Sequence, residues 1–157
     1  MELDELLARE AIRDLVARYN AYGDAGKFDL LWELFVEDSV MEISQRRGET
    51  VVHRGLGEIR SIFLGTQDRV QSQDPRAAGA YVRHFTATHQ IDVVDAEHAT
   101  GRAYFAVIVG STGPGGGLDH WGRYLDDYVR VDGRWRFARR RVILDGVTEG
   151  SWFSAPG

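Results

Sequence analysis

Cysteine is absent from this chain of 157 residues. Its absence excludes disulfide bonds, metal sites built from thiolates and a cysteine nucleophile, and it fits a cytoplasmic protein. Long apolar runs are also missing, because no stretch approaches the roughly 20 apolar residues that a membrane-spanning helix needs. The opening residues, MELDELLARE, are acidic and amphipathic, which is not the pattern of a signal peptide. We therefore expect a cytoplasmic protein with no membrane partner.

The chain has fewer basic than acidic residues, with 19 Lys and Arg against 24 Asp and Glu. The formal net charge is −5 and the sequence pI is about 5.5. Nucleic-acid-binding proteins need a basic face for the phosphates, so we expect no nucleic-acid partner. The one basic cluster, RWRFARRR at residues 134–141, alternates with apolar residues as a strand does. We interpret it as a solvated face or a set of salt bridges.

Motifs for metals and phosphates are missing too. Four histidines are scattered without the spacing of a ligand motif: His53, His89, His98 and His120. The glycine-rich stretch GPGGG at 113–117 has no following Lys-Ser/Thr and no strand-to-helix context, so it predicts a hairpin turn. The sequence therefore predicts no metal and no cofactor.

The patterns that are present predict a single α+β domain over residues 1–157. Apolar residues three and four apart predict a helix from residue 3 to about 22, ended by Gly23. A short helix follows with Trp32 and Phe35 on its buried side, then two strands within 39–54, a third helix over 55–67 and a loop at 68–79. Four long strands joined by short turns, from residue 80 onward, predict an antiparallel meander. A curved sheet wrapped over helices leaves a pocket between them, where small ligands usually bind.

Three segments in this order resemble the SnoaL-like branch of the nuclear transport factor 2-like superfamily. They are ARYNAYGDAGKFDLLWELFVEDSVME (17–42), VRHFTAT (82–88) and DGRWRFARRRV (132–142). The resemblance covers roughly residues 5 to 148 and leaves 149–157 as a tail. It implies a cone-like α+β barrel, with N-terminal helices packed in the concavity of a mostly antiparallel sheet.

The resemblance also implies a site. In the dehydratase and dehydrochlorinase members, an aspartate after the first helix orients a histidine that acts as the base, and here these residues are Asp24 and His84. The residue five before the aspartate is Tyr19. Some members carry an arginine five residues after the final-strand tryptophan, which is Arg140. Such a set suits general acid/base chemistry without a cofactor.

Each of these residues also has a plain structural interpretation. Asp24 could simply shape a turn, and Tyr19 could simply be a core residue. Strand alternation places His84 on one face with Val82, Thr86 and Thr88, which would line a pocket or face solvent, and puts His89 on the other face. In the last strand, alternation puts Trp135 and Phe137 with Arg139 and Arg141, opposite Arg140. Arg140 is thus expected in the site by family spacing only.

The predicted reaction is dehydration of a cyclic or polyketide-like hydroxy compound, with cyclisation or isomerisation by the same pair as the alternative. A small apolar or polycyclic substrate would contact Trp32, Phe35, Thr88, Trp121 and Tyr124. Thr88 stands where many members have an asparagine. Ketosteroid isomerases place a carboxylate where this chain has Ile43, which counts against their mechanism, and no motif matches the epoxide hydrolases of this fold.

A non-catalytic module is the second class, as in the small subunits of ring-hydroxylating dioxygenases. Contact between Asp24 and His84 would discriminate the two classes, because a structural subunit needs neither. An exposed sheet face suits a homo-oligomer, either a dimer or a trimer. The aromatic pair Trp152-Phe153 in the tail is expected to cap the pocket or a neighbouring subunit.

Overall fold

A computed structural model describes residues 2–45, 48–72, 81–110 and 116–151. The expectations for the tail pair Trp152-Phe153, and for parts of the predicted loop at 68–79 and the turn at 113–117, lie outside these residues. Within the described ranges, no helix is long and apolar enough to cross a membrane.

The helices follow the apolar spacing. They are α1 Leu3–Asp24, α2 Phe28–Trp32 and α3 Gly55–Ser72. The stripe on α1 is buried as its spacing requires, with Ile12 and Val16 almost without solvent exposure. Three boundaries differ from expectation: Phe35, expected on the second helix, lies in the first strand, α3 extends into the segment predicted as a loop, and α1 runs through Gly23 to end at Asp24. The chain reverses instead at Gly26, whose φ of 66° is the left-handed conformation that glycine tolerates.

Six strands form one sheet. They are β1 Phe35–Gln45, β2 Thr50–Arg54, β3 Tyr81–Val93, β4 His98–Gly110, β5 Gly116–Val131 and β6 Arg134–Val147. Their order across the sheet is β2-β1-β6-β5-β4-β3. The predicted antiparallel meander of β3 to β6 is confirmed, and among the described strands only β1 and β6 pair in parallel.

The core lies between the helices and the inner face of this curved sheet. Ile12 and Leu15 of α1 belong to one buried cluster with Ile91, Tyr128 and Phe137 of the sheet. Burial of such side chains stabilises the fold by about 1.5–3 kcal/mol each. The predicted α+β architecture, with the N-terminal helix packed on a mostly antiparallel sheet, is confirmed.

Irregularities in three strands decide which side chains face inward. Thr88 in β3 has a φ of 51° and interrupts the pairing with β4. One of two extra residues in β6 is Ala138, because Phe137 pairs with Tyr128 and Arg139 with Asp127; the other is Asp145. Asp119 is the extra residue in β5. Each bulge reverses the alternation of the residues that follow it.

The outer face of the sheet exposes aromatic side chains, including those of Tyr81, Phe85, Tyr104 and Trp121. An exposed apolar face of this kind is compatible with packing against another subunit. The homo-oligomer stays a prediction.

Candidate active site

Asp24 and His84 meet where the end of α1 lies against β3. The Nδ1 of His84 is 2.6 Å from Oδ1 of Asp24, and the backbone N–H of His84 donates to Oδ2 at 2.8 Å. One helical turn earlier, the amide of Asn20 donates to the hydroxyl of Thr86 at 2.6 Å. Asp24 therefore does more than end its helix, because its two oxygens bind the backbone and the ring of the same residue.

The contact determines which ring nitrogen of His84 is available for chemistry. An ionised carboxylate only accepts hydrogen bonds, so Nδ1 carries the proton in this contact, and in the neutral ring the lone pair is then on Nε2. The side chain of Asp24 is 10% exposed and that of His84 is 28% exposed. The imidazole is thus held in one tautomer and still reachable, which is what a general base requires.

Tyr19 lies on the buried face of α1 among aromatic rings. It makes edge-to-face contacts with Phe35 at 6.1 Å, Tyr124 at 6.2 Å and Phe137 at 5.5 Å between ring centroids. Burial raises the pKa of Tyr19, although the Arg140 cation opposes this effect. The hydroxyl therefore keeps its proton near neutrality and is a hydrogen-bond donor, not a base.

Arg140 faces inward, as family spacing predicted and as simple alternation did not. The extra residue Ala138 turns the following residues over, so Arg140 shares the inner face with Phe137. Its guanidinium carbon lies 4.1 Å from the ring centroids of both Tyr19 and Tyr124. Such cation–π contacts favour a desolvated guanidinium.

Arg140 is completely buried and is bound to Asp126. Its Nε donates to Oδ1 at 2.9 Å and its Nη2 donates to Oδ2 at 2.7 Å, while the Tyr128 hydroxyl donates to the same carboxylate at 2.9 Å. Burial alone would lower the pKa of Arg140, but the Asp126 carboxylate reverses this and holds it above the ordinary value. The guanidinium is thus a fixed positive charge beneath Tyr19 and Tyr124.

The neighbouring arginines point the other way. Arg139 and Arg141 both donate hydrogen bonds to Glu42 of β1. Burial works against ionisation, yet these bonds hold the pKa of Glu42 below its ordinary value. The interpretation of the basic cluster as a set of salt bridges is correct for these residues.

Tyr124 is the expected substrate contact that lies with the site. It is 2% exposed on the inner face of β5 and stacks on Phe105 at 4.5 Å. Phe105 in turn contacts the ring of His120, which lies 6.4 Å from His84. The inner face therefore carries a continuous run of ring contacts from His84 to Tyr19.

The other expected substrate contacts lie elsewhere. Thr88 forms the bulge of β3 and is exposed, so it does not share the face of His84. Trp121 pairs with Ala106 of β4, which pairs with Phe85 of β3, so Trp121 lies on the outer face of the sheet. Its ring lies over Gly146.

Trp32 is the last residue of α2, and Phe35 is the first residue of β1. They line a depression of about 420 Å³ with Arg60, Arg134 and Arg136, and its lining includes neither Asp24 nor His84. A role for Trp32 and Phe35 in binding the substrate of His84 stays a prediction.

Two further histidines reach the inner face, and no local sequence pattern predicts either position. The bulge at Thr88 brings His89 onto the face of His84, contrary to the expected alternation, with its Nε2 3.4 Å from the Tyr128 hydroxyl. His120 was set aside as one of four scattered histidines. The adjacent acidic residue Asp119 was its one local signal. Within the described ranges, no three His, Asp or Glu side chains converge as a metal would need.

Comparison with known proteins agrees with this architecture. A protein from Novosphingobium aromaticivorans assigned as a scytalone dehydratase is 25% identical, with a TM-score of 0.73 over 94% of this chain and 91% of that one. The β subunit of a protein from the same organism, assigned as an aromatic-ring-hydroxylating dioxygenase, is 19% identical, with a TM-score of 0.74 over 92% and 93%. A hexachlorocyclohexane dehydrochlorinase, LinA type 2, is also 19% identical, with a TM-score of 0.69 over 94% and 92%.

The latter two show the shared fold alone. No curated protein matches the chain by sequence. The family model described as "SnoaL-like domain" matches residues 4–141, which is most of the sequence. The chain belongs to the SnoaL-like domain family.

Proposed function

We propose that this protein is a cofactor-independent lyase that removes water from a cyclic or polyketide-like hydroxy compound. The observation that carries the proposal is that His84 makes two hydrogen bonds to Asp24. Its Nδ1 lies 2.6 Å from Oδ1 of Asp24, and its backbone nitrogen lies 2.8 Å from Oδ2. It supports an enzyme over a structural module, because neither a stable fold nor a subunit interface requires a histidine that is held in one tautomer while its side chain stays 28% exposed.

The proposed step balances without an added reactant. Nε2 of His84 takes a proton from the carbon next to a carbonyl group, and the C–H electron pair becomes the new C=C bond as the C–O bond breaks. The departing hydroxide takes the proton back from the imidazolium, so the products are the conjugated alkene and water. Asp24 stabilises the imidazolium while it exists, since its carboxylate stays 2.6 Å from Nδ1.

Tyr19 and Arg140 have different parts in this proposal. Tyr19 donates a hydrogen bond to the substrate oxygen on which negative charge develops. Arg140 acts through Tyr19, because its guanidinium is fully buried against Asp126 and lies over the Tyr19 ring at 4.1 Å. The stacked rings of Phe105 and Tyr124 form the apolar wall that a cyclic substrate would contact.

The relative assigned as a scytalone dehydratase adds support for a dehydration, since it matches nearly the whole chain. Cyclisation or isomerisation would use the same first proton transfer and differs only in the fate of the carbanion. The reaction test must therefore separate proton removal from loss of water.

A panel of cyclic β-hydroxyketones in D2O separates the two events. Absorbance of the conjugated product reports loss of water, and NMR reports deuterium at the carbon next to the carbonyl. We expect Asp24→Asn and His84→Gln to lose about 100-fold or more of both signals, as expected when a positioned acid/base group is removed. His98→Gln is the matched control, because His98 and Asp95 form an exposed pair through the same atoms at 2.9 Å.

Parent-like turnover by His84→Gln would refute the assignment of His84 as the base. Deuterium exchange without loss of water would favour the isomerase or cyclase alternative. A protein that binds the ketones and exchanges no deuterium would be the non-catalytic module.

A further inference from the structure

A second aspartate–histidine pair lies against the ring of His84. The Nδ1 of His120 is 2.7 Å from Oδ2 of Asp119, and the His120 ring meets the His84 ring edge to face, with centroids 6.4 Å apart. The side chains of His120 and Asp119 are 14% and 8% exposed, so this pair is more enclosed than the first.

Asp119 is held by the end of the described chain. It is the extra residue of the β5 bulge, since Val107 pairs with His120 and Ile108 with Leu118. The hydroxyl of Ser151 donates to its Oδ2 at 2.6 Å, and the backbone N–H of Thr148 donates to its carbonyl oxygen at 2.8 Å. The bulge and the C-terminal segment together fix the carboxylate that orients His120.

We propose that His120 is a positioning residue for His84: anchored through Asp119 to Ser151, its ring holds the His84 imidazole in the orientation that proton transfer needs. This inference rests on the proposed function, in which His84 is the base. It differs from that function in assigning a role to the Asp119–His120 pair of β5 and to the C-terminal segment.

The charges around the Asp119–His120 pair are compatible with a positioning role for His120 beside His84. Burial lowers the pKa of His120, the Asp119 carboxylate opposes that effect, and positive charge on His84 adds to the lowering. The charged groups that face His120 among the described residues are thus Asp119 on β5 and His84 on β3, with Asp24 of α1 behind His84. A neutral His120 can support the His84 ring without repelling the imidazolium that forms during turnover.

The first test needs no substrate. Histidine-labelled protein is titrated by NMR in the parent, His84→Gln and His98→Gln. We expect the pKa of His120 to rise in His84→Gln, because a neighbouring positive charge is removed, and to stay unchanged in His98→Gln. An identical His120 titration in all three proteins would mean that the two rings do not interact, and would overturn the proposal.

The second test uses the β-hydroxyketone panel. His120→Phe keeps a planar ring but cannot bind Asp119, and we expect kcat to fall about 10- to 100-fold with KM changed by less than about 2-fold, as for a misaligned catalytic group. Ser151→Ala, which leaves His120 in place, should give a smaller fall in kcat. Its control is Ser61→Ala, because Ser61 is exposed and its hydroxyl donates to a backbone carbonyl of its own helix.

The two proposals fail in distinguishable ways. If His84→Gln abolishes turnover while His120→Phe and Ser151→Ala keep the parent kcat, only the positioning role is lost. If His84→Gln keeps the parent rate, the lyase mechanism and the positioning role of His120 both fail, even where the titrations show that the rings interact.

Discussion

Replacement of Asp126 by asparagine tests how the interior of the site holds a positive charge. Asp126 and Arg140 are 1% and 0% exposed, and their two hydrogen bonds measure 2.9 and 2.7 Å. Asparagine has nearly the same shape, so the change removes the negative charge without opening a cavity. Its amide would also place a second donor opposite the guanidinium or the Tyr128 hydroxyl.

The expected loss is large for one substitution. Removing one partner of a buried ion pair costs about 3–5 kcal/mol, because the remaining charge has no compensation. For a domain of this size each kcal/mol corresponds to about 2–4 °C in Tm, so we expect a fall of about 6–20 °C. Urea denaturation followed by tryptophan fluorescence measures the free energy of unfolding directly.

Asp145→Asn is the matched control. It breaks the Arg123–Asp145 pair at 3.0 Å, whose side chains are 41% and 30% exposed, and pairs of that kind contribute about 0–1 kcal/mol. Asp126→Asn combined with Arg140→Met removes both charges and should recover part of the loss. If Asp126→Asn lowers the free energy of unfolding no more than Asp145→Asn does, then leaving the buried charge of Arg140 uncompensated is not costly, and the reasoning fails.

Two further predictions concern stability alone. The lowered pKa of Glu42 means that its bonds to Arg139 and Arg141 stabilise the fold at pH values above the ordinary carboxyl pKa of 4.5, and that this stability is lost as the pH falls through the folded-state pKa. Between neutral and acid pH, Glu42→Gln should therefore lose less of its free energy of unfolding than the parent does. Urea titrations measure this loss, and an equal loss in both proteins would contradict the prediction. Gly122→Ala would place a Cβ 2.0 Å from a backbone carbonyl oxygen of β6, so we expect its Tm to fall. In Gly23→Ala the new Cβ meets nothing within 4 Å, so this change should stabilise α1 by about 1 kcal/mol. The same change in Tm for both variants, measured by calorimetry, would refute the packing argument.

Local patterns in the sequence were sufficient for most of the architecture. Apolar residues three and four apart on α1, and long stretches of alternation from residue 80 onward, are consequences of helix and strand geometry that act within a few residues. They predicted the α+β class, the meander and the order of the elements. The approach of Asp24 to His84, 60 residues apart, is not a local property, and it was expected only because three motifs resemble a known family.

Alternation failed wherever a strand carried an extra residue. Simple alternation places Arg140 opposite Trp135 and Phe137, yet Arg140 shares their face and is fully buried, because Ala138 is inserted in β6. Thr88 and His89 exchanged their expected faces for the same reason. A bulge forms where two strands pair with unequal lengths, so it depends on the partner strand and cannot be counted along one chain.

The sequence by itself determined which elements form and which residue types are available for acid/base chemistry. Tertiary structure alone decided that Arg140 is paired with Asp126, that Trp121 faces outward, and that His120 lies against His84. The physical reason is range: helix and strand periodicity act between neighbours in the chain, whereas these placements depend on strand register, bulges and contacts between distant segments.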